Sequence, residues 1–347
     1  MVAYENAIAL AQNGFECHTL CLANSPLENH LKTLALPTLS LTNAKKFFDF
    51  LKIRQFILDH DIKTVLVQVM SDLRPLSMAL INHEEIKVFA ISHTFVNVNK
   101  KDFWHRWSYS KINKLVCLTD LHKKNILQNL PLRDSQLEVI PNYVDCNRFH
   151  SKNYSEDVRR SLGAAPGSFL VGVTSRLDPQ KGQDCAIKAL TLLKRKNIPV
   201  QLAIVGENTR NEQDYLSVLR QMTCDYGVEN QVCFAGFRQD MEKIMASLDV
   251  LLMPSLCETF GRVVIEAMAS KTPVIATNAG GVPNIIDNGK NGLLVIPNSH
   301  EELATAIETL AHNPAYREQL VERAFFKVRT TYARDVVESK LLNLLTT

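Results

Sequence analysis

The chain runs to 347 residues, enough for about two domains that each bury a core without metal or disulfide staples. With 46% hydrophobic and 22% charged residues, 13 glycines and 13 prolines, its composition excludes a disordered or fibrous chain. Thirty-nine basic against 36 acidic residues leave a formal charge of +3, too little to argue for nucleic-acid binding, and no apolar run reaches the ~18 residues of a membrane span.

Reading from the start, Met1-Val2-Ala3-Tyr4-Glu5-Asn6 carries neither the basic nor the apolar region of a secretory leader, and residues 4–14 have helical spacing. Short apolar runs then predict strands at residues 15–22, 64–69, 87–91, 115–118 and 137–140. A second series follows at 169–173, 200–205, 232–234, 250–253, 274–276 and 292–295. These runs are largely apolar rather than strictly alternating, as parallel strands covered on both faces require. The segments between them carry helical spacing, for example Ala186, Ala189, Leu190 and Leu193. Repeated β-α units of this kind predict doubly wound α/β sheets. The polar, turn-rich stretch 142–167 reads as an interdomain linker, and the C-terminal stretch reads as helices, the last near 333–345.

The eight cysteines, Cys17, Cys21, Cys117, Cys146, Cys185, Cys224, Cys233 and Cys257, form no C-x-x-C pair and lie mostly in apolar segments. They read as buried, reduced thiols. Cys17-His18 with Cys21 lacks a second ligand cluster, so no metal site is assigned.

Ligands of open α/β sheets bind beyond the carboxyl ends of the strands, which directs attention to the loops there. After 169–173 comes Thr174-Ser175-Arg176-Leu177-Asp178-Pro179-Gln180-Lys181-Gly182. Arg176 and Lys181 can converge on a diphosphate, the guanidinium as a fork and the ammonium as a point charge. Taken alone, the same loop also reads as a solvated turn with a surface lysine. Gly206-Glu207-Asn208 follows 200–205; its glycine permits close approach of a ligand, or simply a turn. After 250–253 comes Pro254-Ser255-Leu256-Cys257-Glu258-Thr259-Phe260-Gly261-Arg262. Here Thr259 or a neighbour is expected to cap a helix running to about Ser270, whose first amides, with Gly261, make an anion site. Glu258 precedes that helix and Glu266 lies two turns along it, where a carboxylate can accept hydrogen bonds from sugar hydroxyls. The alternative is that one glutamate caps the helix and the other faces solvent. The apolar setting of Glu266, Val-Val-Ile-Glu-Ala-Met-Ala, argues that it has a partner.

These residues carry a resemblance. Ser175-Arg176 with Lys181-Gly182, Val205-Gly206, Phe234-Ala235-Gly236-Phe237, Pro254-Ser255, Glu258-Thr259-Phe260-Gly261, Glu266-Ala267-Met268-Ala269, and Pro273-Val274-Ile275-Ala276-Thr277 with Gly280-Gly281 resemble the family 4 glycosyltransferases of the GT-B fold. Glu258 and Glu266 match that family's Glu-x7-Glu spacing. Upstream, Ile91-Ser92-His93 resembles its strand ending in a histidine at the interdomain cleft. Val139-Ile140-Pro141-Asn142-Tyr143-Val144-Asp145 resembles its Pro-Asn-Gly-Val-Asp turn, with Tyr143 in place of the glycine.

The resemblance implies two Rossmann-like, doubly wound parallel-sheet domains facing a cleft. The acceptor-side domain would span 1–148 and the nucleotide-sugar domain 149–331, with a C-terminal helix at about 332–347 returning to the first. It implies a retaining, metal-independent hexosyltransferase without cofactor, cytoplasmic, building cell-envelope polysaccharide or lipopolysaccharide. The donor would be a nucleoside-diphosphate sugar, UDP-linked by family frequency, and the acceptor a glycan or lipid-linked glycan; nucleic acid is not among its partners. Residue by residue, Arg176 and Lys181 would hold the diphosphate and Glu266 the ribose. Glu258, with the backbone of Thr259, Phe260 and Gly261, would hold the donor sugar and phosphate. Gly206 would lie against the donor, Phe237 and Arg238 near the base, and His93 near the sugar from the opposite domain. On its residues alone, His93 reads as a strand-end histidine satisfied by backbone.

The family normally opens with a strand and a glycine loop ahead of the first helix, whereas here the helix-like 4–14 segment follows Met1 directly. A sheet without that central strand leaves backbone groups unpaired, so the expectation is a poorly stable or weakly active chain. Lys271 and Arg262 are smaller departures. The rival readings are a GT-B phosphorylase or an epimerase, which the Glu-x7-Glu loop disfavours, and a catalytically idle relative that binds a nucleotide sugar or a partner subunit. Finally, residues 100–114 hold both tryptophans among several cations. That mixture suits an interfacial helix on anionic lipid at the inner face of the cytoplasmic membrane, or a helix packed on its domain with its aromatics inward.

Overall fold

The computed structural model describes residues 2–32, 34, 36–42, 49–208 and 214–346; Met1 and Thr347, at the ends of two segments read above, lie outside them. The chain divides into one unit of Met1–Ile140 with Glu338–Thr347 and a second of Pro141–Val337. In the first unit the elements run α1 (Val2–Gln12), β1 (Thr19–Leu22), α2 (Pro26–Lys32), β2 (Thr38–Leu41), α3 (Asp49–Asp59) and β3 (Thr64–Val67). They continue with α4 (Leu73–Ala79), β4 (Lys87–Ile91), α5 (Phe103–Tyr109), β5 (Lys114–Cys117), α6 (Asp120–Asn129) and β6 (Leu137–Val139). Strands β3 to β6 form a four-stranded parallel sheet in sequence order, while β1 and β2 pair in parallel as a separate sheet of two. Leu39 and Leu41 of β2 pack into the same core as Val67, Val88 and Leu115.

Two sequence readings change here. The strand read at 15–22 begins only at Thr19. Gly14 turns the chain with φ +84°, and His18 instead sets its ring against His60 at 4.4 Å and Phe56 at 6.0 Å. Strand β2 has no counterpart among the strands read, because Thr-Leu-Ser-Leu is too short and too mixed to stand out as an apolar run.

The second unit runs α7 (Glu156–Ser161), β7 (Phe169–Thr174), α8 (Gln183–Arg195), β8 (Val200–Val205), α9 (Tyr215–Asp225), β9 (Val232–Gly236), α10 (Met241–Ser247) and β10 (Val250–Met253). After these come α11 (Arg262–Ala269), β11 (Val274–Thr277), α12 (Val282–Ile285), β12 (Leu293–Val295), α13 (His300–His312) and α14 (Pro314–Lys327); of α15 (Arg334–Thr346), only the part up to Val337 counts with the second unit. Its six-stranded sheet is parallel throughout, in the order β12-β11-β10-β7-β8-β9. One face, with Val171, Val173, Leu202, Ile204 and Leu252, shares a core with Ala186, Leu190 and Leu193 of α8 and Leu303, Ile307 and Leu310 of α13. The alternate residues Leu170, Leu251 and Ala276 are buried as well, and α11 packs on β10 and β11. Both faces are covered, which is why these strands are apolar at nearly every position.

The stretch 142–167, read as a linker, packs within this second unit. Val144 bridges to Ala333, its N–H donating to the Tyr332 carbonyl at 2.9 Å. The Arg159 guanidinium donates to the carbonyls of Ser247 at 2.8 Å and Ser168 at 3.0 Å and to Asp249 Oδ2 at 2.9 Å. A polar, turn-rich composition marks an irregular segment but does not say whether long arginines tie it down.

Candidate active site

The first strand of the second unit, β7, has β8 on one side and β10 on the other. The chain therefore winds outward through β8 and β9, then returns to start the other half at β10. Loops leaving β7 and β10 run apart at this switch point, and the crevice between them is where an open α/β sheet takes its ligand. A cavity of about 220 Å³ lies there, lined by Ser175, Arg176 and Lys181 from the first loop and Pro254, Glu258, Gly261, Arg262 and Val263 from the second.

Backbone and side-chain bonds hold the first loop in shape. The Ser175 N–H continues the ladder to Val205 O at 3.0 Å, and the Leu177 N–H donates to Glu207 O at 3.0 Å. Asp178 Oδ1 accepts from the Gln180 N–H at 2.8 Å, capping the short turn Pro179–Lys181. Gln183, fully buried at the start of α8, donates Nε2 to Ser175 Oγ at 2.9 Å and to Arg176 O at 2.7 Å. Its Oε1 is buried without a partner. The Arg176 guanidinium is left largely exposed, 4.0 Å from Asp178, and Lys181 Nζ donates to Glu258 Oε1 at 2.6 Å.

Loop two is tied to loop one and to the turn after β11. The Leu256 N–H donates to Gln180 O at 2.8 Å, and the Gly281 N–H to Glu258 O at 2.7 Å; the Thr277 hydroxyl donates to Ser255 O. Helix α11 starts later than expected. Its N-cap is Gly261, with φ +96°, and no side chain caps it. Thr259 is not the cap because the chain enters the helix through a left-handed residue, a conformation that threonine resists. The start of α11, without a side-chain cap, thus lies at the cavity that Arg262 and Val263 line.

The other candidates differ in their settings. Glu266 does have a partner, Arg262 Nη2 at 3.6 Å one turn before it, and it is not among the residues lining the cavity. The Phe260 ring is buried against the edge of Tyr332 at 5.7 Å, so its side chain belongs to the core. Gly206 is required by packing: a Cβ there would come within 1.9 Å of Ser175 O. Arg238 grips Asp240 with Nε and Nη2 at 2.8 and 2.6 Å and reaches Ser161 Oγ with Nη1 at 3.2 Å. That fork holds the Asp240 carboxyl below its ordinary range and raises the arginine's own pKa. Phe237 beside it is 64% exposed, and neither residue lines the cavity.

His93 follows β4 in the first unit, its Nε2 3.0 Å from Gln68 Oε1. The cysteines also divide: all eight are free thiols, Cys21, Cys117 and Cys185 are buried, and Cys224 and Cys257 are exposed. Among the described residues no group of three or more His, Cys, Asp or Glu side chains could hold a metal ion.

Two participants escaped the sequence reading. Arg262 had a signal, a cation directly after Gly261 at a helix start. Gln183 had none, since a polar residue in the first turn of a helix is ordinary.

The profile of the group 1 glycosyl transferases matches residues 155–325, and that of glycosyltransferase family 4 matches residues 1–148. The chain belongs to the family 4 glycosyltransferases. Among its relatives are an uncharacterized glycosyltransferase of Methanocaldococcus jannaschii, 31% identical over 54% of this chain and 47% of that protein, and a D-inositol 3-phosphate glycosyltransferase of Corynebacterium kroppenstedtii, 28% identical over 61% of this chain and 48% of that one. A third is the lipopolysaccharide core mannosyltransferase LpcC of Rhizobium leguminosarum, 30% identical over 56% and 55% of the two chains. The chain spans about half the length of the curated relatives it matches. Solved structures of similar fold include Anabaena HepE in complex with UDP and glucose, with TM-score 0.86, 24% identity and coverage of 99% and 96% of the two chains. Another is a glycosyltransferase of Rickettsia africae, with TM-score 0.89, 20% identity and coverage of 99% and 94%. Both units of this family 4 member are Rossmann-like parallel-sheet domains, and the fold is GT-B.

Proposed function

We propose that this chain is a retaining glycosyltransferase that moves a hexosyl group from a UDP-sugar to a glycan or lipid-linked acceptor of the cell envelope, without a divalent metal. The observation that carries the reading is the meeting of Arg176, Lys181, Glu258 and the uncapped start of α11 around one cavity at the switch point. In the reaction the bond between the sugar C1 and the phosphate oxygen breaks, its electrons leaving with UDP. The acceptor oxygen bonds to C1 on the same face, and its proton passes to the departing phosphate. Arg176, Lys181 and the α11 amides offset the negative charge that grows on that phosphate. Glu258, already bonded to Lys181, accepts from a donor hydroxyl instead of attacking C1. The UDP complexes of HepE support the donor class, and the LpcC mannosyltransferase supports the envelope pathway.

The division of the first unit's strands into two separate sheets favours a second reading, an idle relative that binds the nucleotide sugar without turning it over. One experiment separates them: binding of nucleoside diphosphates by thermal shift, alongside UDP release from a panel of UDP-sugars with and without glycan acceptors. UDP release supports transfer; tight UDP binding with no release on any acceptor supports the idle reading; no binding by either measure sinks both.

A further inference from the structure

Helix α5 presents aromatic rings to solvent. Its inner side is anchored: Ser108 and Tyr109 are buried, and the buried Ser77 hydroxyl bonds to Ser108 O at 3.0 Å. Asp102 caps its start by accepting from the His105 N–H at 3.1 Å. The helix is therefore held in one rotation, and that rotation points Phe103 and Trp104 outward, 72% and 67% exposed. The two rings pack edge to face at 5.6 Å, with Val98 also exposed nearby in sequence. The alternative of inward aromatics applies only to Trp107, which is half-buried.

The segment that carries this apolar tip is rich in cations. Residues 98–114 hold Lys100, Lys101, Arg106, Lys111 and Lys114 against the single acid Asp102. Three of these cations donate to carbonyls: Lys101 Nζ to Leu127 O at 3.1 Å, Arg106 Nε to Lys101 O at 2.8 Å and Lys114 Nζ to Ser135 O at 2.9 Å. Asp102 is taken by His105. A carbonyl leaves the positive charge uncompensated, and exposed apolar rings within a field of uncompensated cations complement one kind of surface, an anionic bilayer. A nucleic-acid strand would want flat stacking platforms, which an edge-to-face pair does not offer.

We propose that the outer face of α5, with Phe103 and Trp104 as wedges and the flanking cations as headgroup contacts, docks the protein on an anionic lipid surface. This deepens the proposed function by naming where a lipid-linked acceptor is met. No helix among the described residues is long and apolar enough to cross a membrane, so the contact is peripheral.

The test is co-sedimentation of the full chain with vesicles of phosphatidylcholine carrying about 30% phosphatidylglycerol, against phosphatidylcholine alone. No donor or acceptor is present, so the outcome is independent of whether transfer occurs. The expected result is binding at least ~10-fold stronger to the anionic vesicles. That binding should weaken about tenfold or more in each of two double variants, Phe103→Ser with Trp104→Ser and Lys100→Gln with Lys111→Gln, both unfolding at the wild-type temperature. In a Trp107→Phe background, Trp104 emission should shift to the blue on binding. Equal binding to both vesicle types, or binding that either double variant leaves unchanged, overturns the proposal.

Discussion

Lys181 and Glu258 stand 77 positions apart in sequence and 2.6 Å apart in space, Nζ donating to Oε1. Both side chains are only about one-fifth exposed, so the attraction between them is offset by the hydration the two charges lose. Its significance is positional, since it joins the loops after β7 and β10 across the cavity. A phosphate entering there competes with Glu258 for the lysine.

That competition gives the first prediction. Glu258→Gln should leave UDP affinity within about threefold of wild type or tighten it, because the lysine loses its carboxylate, while transfer falls ~10²–10³-fold. Lys181→Ala should weaken both. Titration calorimetry with UDP and a UDP-release assay separate the two effects, and an equal loss of binding in both variants would count against the assigned roles.

Gln183 braces the diphosphate loop from beneath through its bonds to Ser175 and Arg176. Gln183→Met keeps the bulk and removes both bonds. It should cost about 1–3 kcal/mol in urea unfolding and raise the donor KM more than it lowers kcat. A wild-type KM in a variant of reduced stability would make the amide a purely structural strut.

The turn after β11 presses on the other loop. A Cβ on Gly280, whose φ is +58°, would fall 2.0 Å from Glu258 O. Gly280→Ala must push the Glu258 loop out of place, so transfer should drop at least ~10²-fold, with a destabilisation of about 2 kcal/mol or more. Wild-type transfer by this variant would show that the loop can relax without consequence.

In the first unit, His122 is buried, and burial lowers its pKa to about 4 from an ordinary 6.5. The Leu118 N–H donates to its Nδ1 at 3.3 Å, so the proton sits on Nε2, which faces the Thr94 carbonyl at 3.0 Å. Protonating Nδ1 would set two N–H groups against each other. Above pH 6.5 the ring is neutral in both folded and unfolded chains and has no effect on stability. Between 6.5 and about 4 the unfolded chain takes a proton that the native state refuses, so stability falls as pH drops, by up to about 3 kcal/mol. Below about 4 the effect levels off. His122→Gln should flatten that part of the curve in urea midpoints measured from pH 4.5 to 7, and an unchanged slope would remove His122 as its source.

The sequence by itself determined the class of fold and singled out the two loops that meet at the cavity. Strands β4, β8 and β10 match their expected bounds residue for residue, because a strand buried on both faces is apolar at nearly every position, Lys87 and Gln201 being the exceptions, and ends where the polar loop begins. The loops at 174–182 and 254–261 were legible for the same reason: chemistry in a parallel sheet gathers at strand ends, and cations, glutamates and glycines stand out against apolar runs.

Only the tertiary structure decided the partners. That Glu266 faces Arg262, that the Arg238 fork closes on Asp240, that Gly206 yields to Ser175 O, and that Phe103 and Trp104 turn outward all depend on which surfaces meet and at what rotation. Periodicity records which positions are apolar, not which distant side chain completes a hydrogen bond. A two-residue shift in a cap, as from Thr259 to Gly261, is enough to redirect the first turn of α11.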